Sequence, residues 1–462
     1  MLTYDLEHRG DLPLYDFLYR CIKEDILSGQ LSPGTRLPSK RALARHLQVA
    51  VVTVETAYAQ LCAEGYLFSQ EKRGYFVNDL EVQCPPPPRV HPEMPVEQPR
   101  QWLLDLSAGG SNTSAFPFSV WAKLIRQVLS QQGTDLLKPI PHNGAPQLRQ
   151  AISDYLYHFR GISAAPEQIV VGAGTEYLYN LIVQLLGRDK VYGLEDPGYL
   201  KAGHIYALNG APCVPVPIDH LGAAVEKVEE SGAQVLHLSP SHQFPTGAVT
   251  PIARRQALLR WAEQNEERYI IEDDYDSEFR FTGRPIPPLQ SIDHSGRVIY
   301  INTFSRTLSP SLRISYMVLP TSLLRRYQQR LGFYSCTVPA IEQHTLARFL
   351  SGGFFEQHLN RTRLVYRTQR DRVLDTLNKS ALFGRFCVSG ENAGLHFLLK
   401  MDTLRSDQEL AQTAQQADLR LSFLSDYCRT LLPQWEHTLI IHYPNLDLDS
   451  LAQALEILSG LL

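Results

Sequence analysis

The sequence has few cysteines, and their spacing excludes the common metal and disulfide patterns. Seven cysteines are scattered through 462 residues, at positions 21, 62, 84, 213, 336, 387 and 428, with no CxxC pair and no clustering with histidine. Zinc sites need such clusters, and a disulfide framework needs an even set in an oxidising compartment. We therefore expect reduced thiols and predict no metal among the site residues.

Long apolar runs and a signal segment are also missing. The most apolar stretch, residues 178–186, is interrupted by Asn180 and Gln184 and is too short to span a bilayer. The first eleven residues are charged and lack the apolar core of a secretory signal. The sequence thus predicts no membrane contact and a cytoplasmic protein.

A strong charge of either sign is absent as well. The chain has 44 Lys and Arg residues against 48 Asp and Glu residues, which gives a formal net charge of -4. Bulk electrostatics therefore do not predict a nucleic-acid partner, and any DNA site has to be a local basic patch. The length exceeds what one hydrophobic core usually serves, which predicts two or three domains.

Proline marks a boundary between such domains. Four consecutive prolines at 85–88 are followed by three more before residue 100. Because proline removes backbone donors and fixes φ, this segment indicates a spacer that could reach about 60 Å at ~3.1 Å per residue. We divide the chain into an N-terminal domain (1–80), a proline-rich linker (81–102) and a large domain (103–462).

The first eighty residues have the pattern of a small helical domain that ends in a hairpin. Apolar residues recur at helical spacing, Ser39 is a plausible N-cap, and Lys72, Arg73 and Gly74 form a turn. Three helices and a hairpin of this size indicate a winged helix-turn-helix. Helices are predicted over residues 12–29, 39–47 and 52–63, and short strands over 66–69 and 75–77.

The large domain alternates strand-like and helix-like segments. Apolar β-rich runs between amphipathic helices predict an α/β fold with a mostly parallel sheet covered on both faces. A long helical region, residues 321–378, precedes a final α+β segment, so we separate a large part (103–378) from a small C-terminal part (379–462). The predicted strands are residues 169–171, 190–192, 213–215, 235–238, 269–272, 298–301 and 315–319.

Several motifs of the N-terminal domain resemble the winged helix of GntR-family transcription regulators. They are the Leu37-Pro-Ser entry, the Thr53-Val and Ala57-Tyr pairs of one helix, the Ala63-Glu-Gly stop and the basic wing at Lys72. The resemblance implies binding to a double-stranded DNA operator, with cations on phosphates and small polar residues toward the bases. The candidate DNA-binding residues are Arg36, Ser39, Lys40, Arg41, Arg45, Thr53, Thr56, Lys72 and Arg73.

One departure concerns how bases are read. The family often opens its recognition helix with a Ser-Arg pair, whereas this chain has Ala50, Val51 and Val52. The change disfavours arginine readout of guanine and favours apolar contact with thymine methyl groups.

The large domain resembles fold-type I aminotransferases, and the two domains together resemble the MocR-type branch of the GntR regulators. The Gly172-Ala-Gly-Thr segment after a strand resembles a phosphate-binding helix N-terminus. The resemblance implies a pyridoxal phosphate site in which Tyr199 stacks on the ring, Asp273 keeps the pyridine nitrogen protonated and Tyr275 binds the phenolic oxygen. The implied cofactor-binding residues are Ala173, Gly174, Thr175, Tyr199, Asp273, Tyr275, Thr303, Ser305, Arg306 and Arg313.

Arg306 stands where these enzymes carry their Schiff-base lysine. A guanidinium remains protonated at any pH that a protein survives, so it cannot attack an aldehyde. Transamination needs that lysine to release product and to move a proton between carbon atoms. We therefore predict no catalytic residue, and a cofactor that is noncovalent or absent.

Two positions near the implied ring site also depart from the aminotransferase pattern. Phe244 replaces an asparagine, so His242 or Gln243 is expected to contact the phenolic oxygen. The neighbour of the implied ring-nitrogen ligand, Asp274, is expected to cap a helix or turn.

The substrate side of the site lacks an expected arginine. Aminotransferases hold a substrate carboxylate with an arginine near the C-terminus, but residues 439–443 contain none. His442 is nearest, and Lys201 is a second candidate cation for an amino effector. Residues 392–394 match a loop on the substrate side.

Three functions remain open from the sequence. The first is a transcription regulator that senses pyridoxal phosphate or an amino compound through a silent aminotransferase-like domain, and Arg306 favours it. The second is a working aminotransferase with an accessory DNA-binding domain. The third is a cofactor-free protein that uses the large domain only to dimerise. The resemblance also implies a head-to-tail homodimer.

Overall fold

The structure is a computed structural model that describes residues 2–10, 12–80, 100–107, 113–281 and 286–461. The chain forms two compact units, residues 1–99 and 100–462. The predicted linker lies outside the described residues except for residues 100–102, so its extended form remains a prediction. In the described ranges, no helix has the length and apolar character needed to cross a membrane.

The smaller unit contains three helices and one hairpin in its described residues. These are α1 (Leu14–Leu27), α2 (Lys40–Leu47), α3 (Val51–Ala63), β1 (Leu67–Gln70) and β2 (Gly74–Val77). Helix α1 packs on α3, and Leu18 and Ile22 share a buried core with Val54 and Leu61. Apolar residues at helical spacing thus give each helix one buried stripe.

Local hydrogen bonds position the two helices of the turn. The Ser39 hydroxyl accepts a hydrogen bond from the Ala42 amide at 3.2 Å, so Ser39 is the N-cap of α2, as its sequence position predicts. Helix α2 ends at Gln48, which has a left-handed φ of 54°. The Tyr58 hydroxyl on α3 donates to the Pro38 carbonyl at 3.0 Å, which fixes the start of α2 against the middle of α3.

The larger unit is organised around its strands. They are β3 (Leu104–Asp105), β4 (Ile169–Gly172), β5 (Tyr192–Asp196), β6 (Cys213–Asp219), β7 (Gly222–Ala223), β8 (Val235–Leu238), β9 (Tyr269–Asp273), β10 (Val298–Thr303), β11 (Ser315–Val318), β12 (Phe386–Ser389), β13 (His396–Met401), β14 (Leu419–Arg420) and β15 (Thr438–His442). In the described residues, eight of them form one sheet in the order β4-β11-β10-β9-β8-β5-β6-β7. The pairs from β10 to β6 are parallel, and β11 and β7 run antiparallel to their neighbours.

Helices cover both faces of this sheet. They are α4 (Phe118–Gln132), α5 (Pro146–Arg160), α6 (Thr175–Leu186), α7 (Leu200–Leu208), α8 (Val225–Glu230), α9 (Ile252–Glu263), α10 (Phe304–Thr307), α11 (Thr321–Leu331), α12 (Ala340–Ser351), α13 (Phe354–Lys379), α14 (Asp407–Gln416) and α15 (Leu448–Leu461). Strand β10 shows the two-sided burial, because Tyr300 joins one core while Ile299 and Ile301 join another. The predicted α/β fold with a mostly parallel sheet is confirmed.

The C-terminal part shares a core with the rest of the larger unit. Strands β12, β13 and β15 form a separate antiparallel sheet, and β14 pairs in parallel with β3. Leu104 and Leu419 belong to the same hydrophobic cluster. The proposed division at residues 378 and 379 stays a prediction.

Two predicted elements differ from the structure. The strand predicted over residues 190–192 begins at Tyr192 and extends to Asp196, and Lys190, before the strand, is buried and pairs with the Glu267 carboxylate. The helical region 321–378 is three helices, α11, α12 and α13, separated by segments that contain Gly332 and the Gly352–Gly353 pair. Glycine has a low helix propensity, which favours breaks at these points.

Candidate ligand cavity and DNA-binding surface

A cavity of about 280 Å³ opens where the parallel strands end. Ligands of open α/β sheets bind at this carboxyl-terminal edge. Its walls come from the segments that follow β5, β8, β9 and β10 and from the start of α6. The predicted cofactor-binding residues that line it are Gly174, Thr175, Tyr199, Asp273, Tyr275, Thr303, Ser305, Arg306 and Arg313. Ala173 lies outside the lining, and its amide donates to the Thr337 hydroxyl at 3.0 Å.

Asp273 presents a carboxylate with one unused oxygen to this cavity. The Tyr179 hydroxyl donates to its Oδ2, and the Nε2 of His237 lies 3.5 Å from the same atom. Its Oδ1 is buried and has no hydrogen-bond partner. A buried acceptor without a partner calls for an explanation, and a ligand N–H would satisfy it.

A group of charged side chains, Glu176, Lys201 and Arg313, surrounds the start of α6. Gly174 has a φ of 93°, and a Cβ there would lie 2.5 Å from the Arg313 guanidinium, so glycine allows that side chain to approach the backbone. Arg313 donates to Glu176 at 3.0 Å, and Lys201 pairs with the same carboxylate. Glu176 is thus shared by two cations, so this group keeps a net positive charge.

Arg306 is different, because its cation is not balanced. The side chain is half-buried and lines the cavity. Among the described residues, its guanidinium has no hydrogen-bond or ion-pair partner, in contrast to Arg313. Its positive charge contributes, after burial, to lowering the pKa of His442 to about 4. Arg306 is therefore available to an anion from outside the chain.

The two predicted effector residues do not line the cavity. Lys201 is held by Glu176, and His442 is neutral at physiological pH because burial and Arg306 depress its pKa to about 4. His442 can thus hydrogen-bond an effector but cannot supply the missing positive charge. The predicted substrate-side loop, residues 392–394, also lies outside the lining, and its Asn392 carbonyl accepts from the Phe281 amide at 3.1 Å.

The expected substitutes for the missing asparagine are placed behind the cavity wall. His242 and Gln243 are both buried and do not line the cavity, whereas Phe244 and Tyr275 do. The Gln243 amide donates to the Phe244 carbonyl at 2.6 Å and to the Pro197 carbonyl at 2.9 Å. The prediction that His242 or Gln243 contacts the phenolic oxygen stays a prediction, and Tyr275 is a polar group that lines this wall.

His242 supports Tyr275 through a buried cluster. Its Nδ1 lies 3.2 Å from the Tyr275 hydroxyl and 3.0 Å from an Asp276 carboxylate oxygen. His242, Asp276 and His396 also form a group whose possible metal-ligating atoms lie within 4.8 Å of one another. The residues come from three separate segments, so no local spacing in the sequence could have revealed the group.

Asp274 is not a cap, contrary to expectation. Its carboxylate pairs with Arg160 at 2.5 Å and accepts a hydrogen bond from Tyr300 at 2.7 Å, and the side chains of the pair are almost fully buried. Position 274 follows a strand, which suggested a turn, but the chain keeps this residue inside the core.

Glu195 is a cavity residue whose importance the sequence did not reveal. Its carboxyl accepts hydrogen bonds from the Ser239 amide at 3.1 Å and from Gln243 at 3.5 Å. Burial raises the pKa of Glu195 to about 8. The carboxyl is therefore mostly protonated at neutral pH and adds little negative charge to the cavity. From the sequence, Tyr199 was the only candidate ligand-binding residue among residues 195–199.

We predict that Glu195 makes stability decrease with pH. The folded chain holds a proton on Glu195 that the unfolded chain releases above its usual pKa of 4.5, so the free energy of unfolding falls as pH rises from about 4.5 to 8. Relative to Glu195→Gln, the wild type should lose roughly 2–4 kcal/mol between pH 5 and pH 8 in urea titrations. The exposed Glu263→Gln serves as control, and a pH-independent difference would contradict the prediction.

Two further cavity residues were missed. Tyr179 and His237 lie on α6 and β8 and both approach Asp273. His237 belongs to an otherwise apolar buried strand, where a polar ring needs a partner, and this was the sequence signal that could have identified it. Tyr179 lies beside Asn180 on α6, and no such signal marked it.

The smaller unit gathers the predicted DNA-binding residues on α2, on α3 and around the hairpin turn. Arg36, Arg41, Arg45, Lys72 and Arg73 are exposed. Ser39 caps α2, and its free O–H remains able to donate to a phosphate.

Two of the predicted DNA-binding side chains make contacts within the smaller unit. Lys40 pairs with Glu55 at 2.5 Å, and the Thr56 hydroxyl donates to the Val52 carbonyl at 2.9 Å. Val51 and Val52, at the start of α3, are exposed. An exposed apolar pair at the tip of a recognition helix agrees with the expected contact to thymine methyl groups.

Comparisons with known proteins cover both units. The family model described as "Bacterial regulatory proteins, gntR family" matches residues 14–77, and the model "Aminotransferase class I and II" matches residues 103–435. Full-length relatives combine the same two parts. The regulator MocR of Rhizobium meliloti, described as a probable rhizopine catabolism regulatory protein, is 34% identical over 444 residues, covering 91% of this chain and 88% of that protein. The chain belongs to the MocR-type branch of the GntR-family transcription regulators.

Other relatives of this MocR-type regulator have the same arrangement. The HTH-type regulator YdeL of Bacillus subtilis is 40% identical over 423 residues, covering 91% of each chain. The pyridoxine biosynthesis regulator PdxR of Corynebacterium glutamicum is 33% identical over 414 residues, covering 88% of this chain and 87% of PdxR. A kynurenine aminotransferase of Pyrococcus horikoshii matches the fold with a TM-score of 0.69 at 23% identity, over 78% of this chain and 90% of that chain. The larger unit thus has the fold of a family that depends on pyridoxal phosphate.

Proposed function

We propose that this MocR-type regulator binds operator DNA through its winged helix and binds pyridoxal phosphate noncovalently in the cavity of its larger unit, without transamination. The strongest support is that two groups in one cavity have no hydrogen-bond or ion-pair partner among the described residues. They are the buried Asp273 Oδ1 and the unpartnered Arg306 guanidinium. An enzyme of this fold would have an amine at position 306, and this chain has none.

The cavity residues fit the cofactor by the chemistry of their donors and acceptors. Asp273 would accept from the ring nitrogen, Tyr275 would donate to the phenolic oxygen, and Tyr199 offers an aromatic face. Thr303, Ser305 and Arg313 would hold the phosphate, with the bidentate geometry that arginine provides. When bound, pyridoxal phosphate supplies an aldehyde that reacts with amines, but Arg306 cannot be that amine.

The names of relatives support a link to this cofactor and to amino compounds. PdxR is named for pyridoxine biosynthesis, and MocR for rhizopine catabolism. We extend to this chain only the class of effector, namely pyridoxal phosphate or an amino compound. We also propose a head-to-tail homodimer, whose two reader units would need operator half-sites about 34 Å apart or a multiple of it.

Equilibrium dialysis with pyridoxal phosphate tests the cofactor proposal. The wild-type chain should bind one equivalent, and borohydride treatment should leave no phosphopyridoxyl group on the peptide that contains residue 306. Asp273→Asn should weaken binding because it removes the charge opposite the ring nitrogen. If the chain binds none, the cofactor-free scaffold gains support, and if it converts amino acids to oxo acids, the aminotransferase reading replaces ours.

For DNA we predict that Arg41→Ala and Arg73→Ala each weaken binding and flatten its dependence on salt. Each lost phosphate contact should reduce the slope of log affinity against log salt by about 0.9. A random-sequence duplex is a sufficient probe, because phosphate contacts do not depend on base sequence. The control is Arg20→Ala on α1, which removes the same charge elsewhere in the unit. Unchanged affinity and slope in both variants would refute this surface.

A further inference from the structure

Two arginines line the cavity, and their surroundings differ. Arg313 lies at the start of α6, where it pairs with Glu176. Arg306, on α10, has no hydrogen-bond or ion-pair partner among the described residues.

No carboxylate of the cavity neutralises Arg306. Asp273 is bound by Tyr179 and lies near His237, and Glu176 is taken by Arg313 and Lys201. Glu195 accepts hydrogen bonds from Ser239 and Gln243. A half-buried guanidinium without a partner is costly, so the site favours a ligand that brings an anion to it.

The groups around Arg306 also limit the kind of anion. His396 donates from its Nε2 to the Pro245 carbonyl, 2.9 Å away, and His442 stacks on the aromatic ring of Phe244. Neither imidazole adds a second positive charge there, since burial is the main cause that lowers the pKa of both. A single planar guanidinium with neutral neighbours suits a singly charged carboxylate, which it can bind through two parallel hydrogen bonds.

We propose that Arg306 is the carboxylate receptor of this site, so that the cavity takes an amino acid together with the cofactor, with the phosphate near Arg313 and the amino acid carboxylate on Arg306. Arg306, which prevents the covalent chemistry, would thereby also supply a positive charge for the carboxylate. Residues 439–443, where aminotransferases have an arginine for this purpose, contain none. This inference rests on the proposed noncovalent cofactor site.

Two stable probes test it in the full chain. N-(5′-phosphopyridoxyl)-L-leucine joins both parts in one molecule, and N-(5′-phosphopyridoxyl)-3-methylbutylamine is the same molecule without the carboxylate. Calorimetric titration of the wild type should show at least tenfold tighter binding of the leucine probe, which corresponds to about 1.4 kcal/mol. Arg306→Gln should bring the ratio of the two affinities close to one, because it removes the cation that only the leucine probe uses.

Two variants separate the possible outcomes. Arg306→Lys keeps the charge, and the reduced probes contain no aldehyde, so part of the preference should return. Arg313→Gln should weaken both probes equally, because the phosphate is common to them. Equal binding of both probes to the wild type, or equal losses for both in Arg306→Gln, would overturn the carboxylate assignment and leave the cofactor site standing. If neither probe binds the wild type, the proposed function itself fails.

Discussion

Arg306→Lys is expected to change the cavity from one that binds pyridoxal phosphate reversibly into one that links it covalently. The new side chain provides an amine whose pKa falls readily in a partly buried site, so a fraction can attack the cofactor aldehyde. We expect the variant to retain the cofactor through gel filtration, with dissociation slowed at least tenfold. Borohydride should then leave one phosphopyridoxyl group on the peptide containing residue 306, detected by mass spectrometry.

Two controls make the result specific to this position. Arg306→Gln has no amine and should yield no modified peptide. Arg313→Lys places an amine in the same cavity but at the end near α6, so it should not become the linked residue. If the wild-type chain already yields a peptide modified at a lysine such as Lys201, the claim that Arg306 blocks the covalent chemistry is wrong.

The fold was largely accessible from the sequence because its elements follow simple periodicities. The runs that became β8, β9 and β10 are short, apolar and rich in β-branched residues, and the predicted strands match them closely. The start of β5 was misplaced by two residues, and the partner of the buried Lys190 that precedes it is Glu267, 77 positions away. No local pattern encodes such a partner.

The candidate site shows the same contrast between residues in local motifs and residues with distant partners. Residues that sit in local motifs, such as Gly174, Tyr199 and Asp273, line the cavity as their motifs imply. The distant partners of other residues were not predicted. Gln243 donates to the Pro197 carbonyl 46 positions away, and Asp274 pairs with Arg160 across 114 positions. Side-chain direction and long-range pairing, rather than residue type, decided these cases.

The Arg160–Asp274 pair is expected to be one of the most important single contacts for stability of the larger unit. Both side chains are nearly inaccessible to solvent, and Tyr300 also donates to the Asp274 carboxylate. Glu278 lies in the same cluster, where burial and then the charge of Asp274 raise its pKa. Removing Arg160 would therefore leave the buried carboxyl groups of Asp274 and Glu278 without the positive charge of this arginine.

Arg160→Met should lower the free energy of unfolding by about 3–5 kcal/mol, because it leaves the Asp274 charge buried without a partner. Urea denaturation at pH 7 measures the loss. Arg160→Met combined with Asp274→Leu should recover most of it, because removing both charges costs much less than removing one. The exposed pair of Lys379 and Asp375 offers the contrast, and Lys379→Met should cost less than about 0.5 kcal/mol.

The same variant connects stability with the cavity. Asp274 directly follows Asp273, so the buried pair also holds the end of β9 where Asp273 presents its free oxygen. Arg160→Met should therefore weaken pyridoxal phosphate binding under conditions where the chain is still folded, although Arg160 does not line the cavity. A loss of stability with unchanged cofactor affinity would separate the two roles and show that β9 is held in place by its strand neighbours alone.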